Sequence, residues 1–288
     1  MTRTAAVVLS GGGAKTAAHL GACRALKEAG FEPVWYVATS MGAVVAAGLA
    51  SGLGSDELLE RIAEVGPRSV VRDPLSPVAG LFLRSLLKPA PLRSAIEAIV
   101  PTRRFNDLTV PLTITAVDLD TGELVLFGSG ASNAPLVDVL CASCALPVYY
   151  PPVVLNGRRY GDGGLRAVLP LEPAAELKVE LVLAVDVGPG FDLPPPSQAP
   201  RIPPMIRAHD DAVGILMAAN TESQLALWRA DPGRPPLVYV RPRTERYTTF
   251  RVDRVREYAS EGRRATREAL EQWADTLDPS LIRDKLSP

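Results

Sequence analysis

The sequence predicts a single α/β domain built in three layers, α/β/α, around a mainly parallel central sheet. Short apolar runs typical of buried strands alternate with segments of helical periodicity from the N-terminus onward. Strands separated by helices need crossover connections, so the sheet should be largely parallel and covered on both faces. The 288-residue length permits one large domain. We therefore expect residues 1–288 to form one domain, with a motif-bearing core at about 5–190 and a C-terminal strand and helices at about 205–288.

The first strand and helix lie at the N-terminus. Residues 5–9 are an apolar run that ends in Ser10 and three glycines, which indicates a buried strand followed by a tight turn. A helix follows, and Gly30 ends it. Its buried face is predicted from apolar side chains at helical spacing, namely Leu20, Cys23 and Leu26.

The second strand, residues 34–39, leads into a helix of small residues at Met41–Ala50. Residues 33–55 carry no charge and are long enough in principle to cross a bilayer. They divide at Ser40 into a strand-like half and a helix-like half, so we predict a buried strand–turn–helix unit instead. A further helix is predicted from Ser-Asp-Glu at its start to glycine at its end, over residues 55–66.

The later strands are indicated by short apolar runs next to turn residues. Residues 112–117 and 123–127 are predicted to form a hairpin around a short polar turn. Because Asn-Gly suits a type I′ turn, Val153–Leu155 and residues 158–160 are predicted to form a second hairpin. The other expected elements are two strands at 181–187 and 237–240, a proline-rich connector at 193–204 and a closing helical region at about 250–275.

Composition excludes one broad class of function. The chain has 31 Lys and Arg against 32 Asp and Glu, so it lacks the concentrated basic charge that nucleic-acid binding needs. Its three cysteines cannot build a disulfide framework. Cys141 and Cys144 lack the further ligands of a zinc site, and we assign them to a buried helix face. We expect no metal and no cofactor. Because no signal peptide is evident, we expect a cytoplasmic protein.

A glycine-rich loop between the first strand and the first helix predicts an anion site. In Ser10-Gly11-Gly12-Gly13-Ala14-Lys15-Thr16, consecutive glycines let several N–H groups face one point, and the helix adds the positive end of its dipole. The anion is either a bound phosphate or the transient oxyanion of acyl transfer, and a simple tight turn also fits. The spacing fails the P-loop pattern because Leu9 and Ala14 occupy its two glycine positions.

A second motif lies between the second strand and the next helix. Ala38-Thr39-Ser40-Met41-Gly42 nearly matches the nucleophile elbow G-x-S-x-G, in which a strained serine presents its Oγ above the sheet. Ala38 and Gly42 support the elbow because the residues on either side of the serine must be small. A serine that merely caps the Met41–Ala50 helix is the other interpretation.

The third motif, Gly161-Asp162-Gly163-Gly164, follows the second hairpin. Glycines around Asp162 leave a carboxylate on a narrow turn that can approach another backbone, although an ordinary Asp-Gly turn would look the same. Together the three motifs indicate a serine hydrolase. Ser40, Asp162 and His209 follow the chain order of an α/β-hydrolase triad. However, that fold builds several strands before its elbow, and only about one precedes it here, so we favour a serine–aspartate dyad.

These residues resemble the patatin-like phospholipase family. Its pattern is a G-G-G-x-[RK]-G loop, a G-x-S-x-G elbow, an A-S-x-A-[IL]-P segment and a D-G-[GA] turn, and the corresponding segments here are residues 11–16, 38–42, 142–147 and 162–164. The resemblance covers roughly residues 5–190. This chain departs from the pattern at four positions, carrying Thr16 and Ala38 for glycine, Cys141 for a frequent arginine and Leu169 for a frequent asparagine.

The resemblance implies that Ser40 attacks an ester carbonyl while Asp162 takes its proton. It also implies that the loop residues Gly11, Gly12, Gly13 and Lys15 form the oxyanion hole, and that Gly163 and Gly164 support the aspartate turn. Partial burial would have to raise the pKa of Asp162 for it to act as a base. Lys15 fits a role in steadying the loop or an anionic headgroup better than one in proton transfer.

The implied substrates are acyl-ester lipids or small esters. Residues 78–87 are either an apolar flap that touches lipid at a membrane surface or a short core helix. Two other classes stay open: a nucleotide- or phosphate-binding module that uses the glycine loop, and a catalytically weak interaction protein. The sequence does not fix the oligomeric state.

Overall fold

The computed structural model describes residues 3–65, 85–128, 134–191, 203–245 and 252–277. Within these ranges one eight-stranded sheet has the order β5-β6-β3-β2-β1-β7-β8, and β4 pairs with β3 off this path. The strands are β1 (Arg3–Leu9), β2 (Phe31–Thr39), β3 (Leu112–Asp118), β4 (Leu124–Gly128), β5 (Val153–Leu155), β6 (Arg158–Asp162), β7 (Leu181–Val185) and β8 (Leu237–Val240).

Helices connect and cover the strands. They are α1 (Ala17–Glu28), α2 (Met41–Ala50), α3 (Ser55–Val65), α4 (Pro89–Ile99), α5 (Leu136–Ser143), α6 (Gly164–Ala167), α7 (Pro204–Ala230) and α8 (Val255–Leu277). A 3-10 turn at Gly13–Thr16 precedes α1.

The prediction of a mainly parallel sheet is confirmed. Strand β1 pairs in parallel with β2 and β7, and the parallel order continues to β3 on one side and β8 on the other. The antiparallel pairs are β3–β4, β3–β6 and β5–β6, so both predicted hairpins form at one side of the sheet.

Both faces of the sheet are buried, which explains why β1 reads as a continuous apolar run. Val7 and Leu9 point into a core shared with α1 and α2. Val8 lies on the opposite face and packs with Leu225 and Trp228 of α7. The sheet is therefore the middle of three layers, as the sequence predicts.

Helix α8 packs closely against α1. A Cβ built on Gly262 would lie 1.9 Å from the carbonyl oxygen of Ala18, and one built on Gly21 would lie 1.8 Å from that of Ala259. Glycine is required at this crossing because the two backbones leave no room for a methyl group.

Helix α4 is not among the predicted elements, and α7 is covered only by the general expectation of helices at about 205–288. The bounds of α7 are hard to predict because its exposed side is also apolar: Met205, Leu216 and Leu227 are at least 62% exposed. Apolar residues on both faces weaken the amphipathic signal. Within the proposed flap and the proline-rich connector, residues 78–84 and 193–202 lie outside the described residues.

Candidate active site

Ser40 occupies a sharp turn between β2 and α2. Its backbone has φ 55° and ψ −136°, a left-handed φ that a non-glycine residue adopts only when its surroundings enforce it. Gly42 helps to make this conformation possible, because it lets α2 begin close to Ser10: a Cβ at Gly42 would lie 2.2 Å from the Ser10 carbonyl oxygen. Ala38 is fully buried in β2 between Leu9 and Ile114, so its extra methyl is accommodated within the sheet.

Asp162 is the last residue of β6, and its carboxylate meets Ser40. Ser40 Oγ donates a 2.7 Å hydrogen bond to Asp162 Oδ2, while the Gly164 N–H donates a 2.8 Å bond to Oδ1. The two residues are 122 positions apart in the sequence. Gly163 lets the turn approach β3, because a Cβ there would lie 2.3 Å from Thr115 Oγ1.

The electrostatics of Asp162 follow from its burial. The residue is only 4% exposed, and desolvation raises its pKa from 3.8 to about 6, although the hydrogen bonds from Ser40 and Gly164 act in the opposite direction. An aspartate with this pKa is still largely ionised at pH 7, and it is a stronger base than an ordinary surface carboxylate.

The glycine loop passes beside Ser40. A Cβ on Gly11 would lie 3.1 Å from Ser40 Cβ and 3.8 Å from its Oγ, so a side chain at this position would crowd the serine. The Gly11 N–H donates to the Val168 carbonyl at 3.0 Å, and this engagement removes it from the predicted set of oxyanion donors. Across the described ranges, the N–H groups of Gly12 and Gly13 have no intramolecular acceptor.

The rest of the loop is fixed by side chains. Thr16 donates a 2.7 Å hydrogen bond to the Gly13 carbonyl, so the residue that departs from the family pattern closes the turn. Lys15 is buried, and its Nζ lies 3.5 Å from the Gly188 carbonyl oxygen. This contact joins the loop to the chain that follows β7, as a loop-steadying role for Lys15 requires.

The two histidines of the chain lie elsewhere. His209 is on α7, with its Nδ1 3.3 Å from Asp210 Oδ1, and His19 is buried in α1 with its Nε2 2.9 Å from the Ser10 carbonyl oxygen. In the part of the chain that the structure describes, neither bonds to Ser40 or Asp162. That His209 is not the base stays a prediction.

Ser143 enters the predictions only as part of the A-S-x-A-[IL]-P segment, and in the structure it contacts Ser40. Its Oγ accepts a 2.7 Å hydrogen bond from the Ser40 N–H, which supports the strained turn. Cys144 follows, and its thiol lies 3.9 Å from the sulfur of Met41. Burial, followed by the charge of Asp162, raises the pKa of Cys144 well above its ordinary value. As predicted, Cys141 and Cys144 are buried, in and just after α5.

Among the described residues, no group of three or more His, Cys, Asp or Glu side chains is placed to hold a metal ion. No described helix combines the length and the apolar character needed to cross a bilayer.

The family described as patatin-like phospholipase matches residues 7–175. An uncharacterized NTE family protein of Mycobacterium tuberculosis (strain ATCC 25618 / H37Rv) is 33% identical over 210 residues, which are 70% of this chain and 56% of that protein. This chain therefore spans about half the length of this mycobacterial relative.

Two further similarities are more distant. The omega-hydroxyceramide transacylase of Homo sapiens is 31% identical over 140 residues, 47% of this chain and 25% of that protein. The crystal structure of VipD from Legionella pneumophila aligns with a TM-score of 0.47 and 14% identity, covering 94% of this chain and 67% of that chain.

Proposed function

The chain belongs to the patatin-like phospholipase family, and from that premise we propose that it is a lipid acyl hydrolase that cleaves carboxylic esters with a Ser40–Asp162 dyad. The observation that carries the proposal is the 2.7 Å hydrogen bond from Ser40 Oγ to a buried carboxylate. A hydroxyl bonded to a base, and held on a strained turn, is the arrangement of an activated nucleophile.

In the first step Ser40 Oγ attacks the ester carbonyl carbon. Its proton passes to Asp162 Oδ2, and the carbonyl oxygen takes up the negative charge. Protonated Asp162 then returns the proton to the alkoxide of the leaving alcohol as the C–O bond breaks, which leaves an acyl-serine. The pKa of about 6 supports both roles, because a catalytic acid–base group works best when its pKa lies near the working pH.

The second step mirrors the first with water as the nucleophile. Asp162 accepts a proton from water as the oxygen attacks the acyl carbon, and it then protonates Ser40 Oγ when the acyl bond breaks. Free fatty acid leaves and the dyad is regenerated. No histidine takes part in either step.

The negative charge of both tetrahedral intermediates develops beside the glycine loop. We assign its stabilisation to the N–H groups of Gly12 and Gly13, which precede and begin the turn into α1. Removing one such donor typically lowers the rate by about 10²–10³-fold. Gly11 leaves room for Ser40, and Lys15 anchors the loop through its contact with the Gly188 carbonyl.

We propose acyl-ester lipids as substrates, with small esters as experimental surrogates and transient contact with a membrane surface. The similarity to a transacylase supports a second outcome, in which an alcohol replaces water in the second step. The phosphate-binding alternative has less support, because a P-loop lysine must reach the phosphates and Lys15 is buried against Gly188. Cytoplasmic localisation remains a prediction.

The test is a hydrolysis panel of p-nitrophenyl esters of increasing chain length and of phospholipid vesicles. We expect turnover by the wild type, none by Ser40→Ala, almost none by Asp162→Asn, and wild-type rates for His209→Ala. A fluorophosphonate should label Ser40 in the wild type. Folded wild-type protein that neither turns over any ester nor takes the label would refute the proposal, and inactivity of His209→Ala would refute the dyad.

A further inference from the structure

Ser10, between β1 and the glycine loop, is held by more hydrogen bonds than a turn residue needs. Its N–H donates to the Val185 carbonyl at 3.1 Å. Its hydroxyl donates to the Gly11 carbonyl at 3.0 Å and accepts the Val187 N–H at 2.8 Å. Its carbonyl is bonded by His19 Nε2 at 2.9 Å. The N–H, the hydroxyl and the carbonyl of Ser10 are thus all hydrogen-bonded. Of its partners, only His19 contributes a side-chain group.

The hydrogen bond and the burial of His19 together define its protonation state. A carbonyl oxygen can only accept a hydrogen bond, so Nε2 carries a proton. His19 is fully buried, and burial lowers its pKa to about 4 against the smaller opposing effects of the hydrogen bond to Ser10 and of Asp186. His19 is therefore neutral at pH 7, and its Nδ1 carries no proton. Among the described residues, its buried Nδ1 has no hydrogen-bond partner.

A buried nitrogen without a partner is unfavourable, and a leucine at this place in α1 would avoid it. The Nε2–H bond must therefore serve a purpose that an apolar side chain cannot. The Ser10 carbonyl contacts the first turn of α2, at Gly42. In the chain it directly precedes the peptide groups of Gly11 and Gly12. A shift of this carbonyl would move the loop relative to Ser40.

We propose that His19 is a positioning residue, which fixes the Ser10 carbonyl so that the N–H groups of Gly12 and Gly13 face the carbonyl oxygen of a substrate at Ser40. It acts through Ser10 and exchanges no proton during the reaction. The close crossing of α8 over α1 at Ala18 holds the helix that carries it. The proposal rests on the proposed hydrolase function.

The experiment compares His19→Gln, His19→Asn and His19→Leu, with His209→Gln as the matched control on the other histidine. The Gln amide can place an N–H near the position of Nε2, the shorter Asn falls short of the Ser10 carbonyl, and Leu has no donor. We expect kcat to fall about 10²-fold in Leu and Asn, as for a lost oxyanion donor, with little change in KM. Gln should keep at least about a tenth of the wild-type kcat, and His209→Gln all of it.

Three further readouts separate positioning from other roles. Thermal unfolding identifies variants that do not fold. If His19→Leu does not fold, the comparison of His19→Gln with His19→Asn still tests the positioning role. In His19→Gln, kcat/KM should still fall as the pH drops through about 6, as in the wild type. If this fall disappeared in the variant, His19 would be the base. Wild-type kcat in a folded Asn variant would overturn the proposal, as would a folded Gln variant no better than Asn. A wild type without turnover or fluorophosphonate labelling would instead refute the hydrolase function.

Discussion

Replacing Asp162 by Asn should make the protein more stable at pH 8 while it removes activity. Asn is nearly isosteric with Asp, and its Oδ1 can still accept the Gly164 N–H while its amide bonds to Ser40 Oγ. What the substitution removes is a buried negative charge. Burial raises the pKa of Asp162 from 3.8 to about 6 in the folded protein, which means that folding disfavours the ionised carboxylate.

The size of the effect follows from the two pKa values. In the unfolded chain Asp162 returns to a pKa near 3.8, so between these values the folded state binds more protons and stability falls as the pH rises. Each pH unit of difference is worth about 1.36 kcal/mol, which makes the penalty about 3 kcal/mol at pH 8. It declines to less than about 1 kcal/mol at pH 4. The Asn variant should gain that difference at pH 8 and lose most of its advantage at pH 4.

The assay is urea unfolding of wild type and Asp162→Asn at pH 8, 6 and 4. Asp118→Asn is the matched control, because the Asp120 N–H, followed by Arg158, lowers the pKa of Asp118. A group with a lowered pKa stabilises the fold above its unfolded value, so this control should lose stability at pH 8. An Asp162→Asn variant that is less stable than wild type at pH 8, by an amount independent of pH, would contradict the reasoning.

Two other outcomes are expected. The kcat/KM of the wild type should be constant above pH 7 and fall as the pH drops through about 6, because protonated Asp162 cannot accept the Ser40 proton. A kcat/KM that falls only below pH 5 would exclude Asp162 as the base. Gly262→Ala should destabilise the protein by about 1–3 kcal/mol in urea unfolding, because its methyl would lie 1.9 Å from the Ala18 carbonyl oxygen. Gly54→Ala is the control, since a methyl there meets nothing within 4 Å, and an equal loss in both variants would contradict the argument.

The elbow and the aspartate turn could be predicted from the sequence because each depends on a local requirement for glycine. Gly42 and Gly163 both lie where a Cβ would collide with backbone or side-chain oxygen atoms. The meeting of Ser40 with Asp162 is a different matter. It depends on β3 lying between β2 and β6, an order that residue spacing alone does not determine, so the pairing of Ser40 with Asp162 could be expected only from the family resemblance.

The hydrogen bonds of the glycine loop could not be predicted. Gly11 gives up its N–H to Val168, a residue 157 positions later, and this contact exists only because the chain after α6 passes over the loop. Lys15 is buried, although lysine is rarely found inside a protein. The sequence does not single out His19, because its partner is a backbone carbonyl and backbone acceptors leave no sequence signal.

Two aspartates on neighbouring strands show how the surroundings of a carboxylate set its pKa. Asp118 and Asp162 stand near the ends of β3 and β6 and are almost equally buried, at 1% and 4% exposure. The Asp120 N–H, followed by the ion pair with Arg158, lowers the pKa of Asp118. Within the described residues no cation pairs with Asp162, so burial dominates and its pKa rises. A cationic partner would stabilise the carboxylate and weaken it as a base, and a fully apolar site would keep it protonated at pH 7. With two hydrogen-bond donors and no cation, Asp162 lies between these limits, where it can both accept and return a proton.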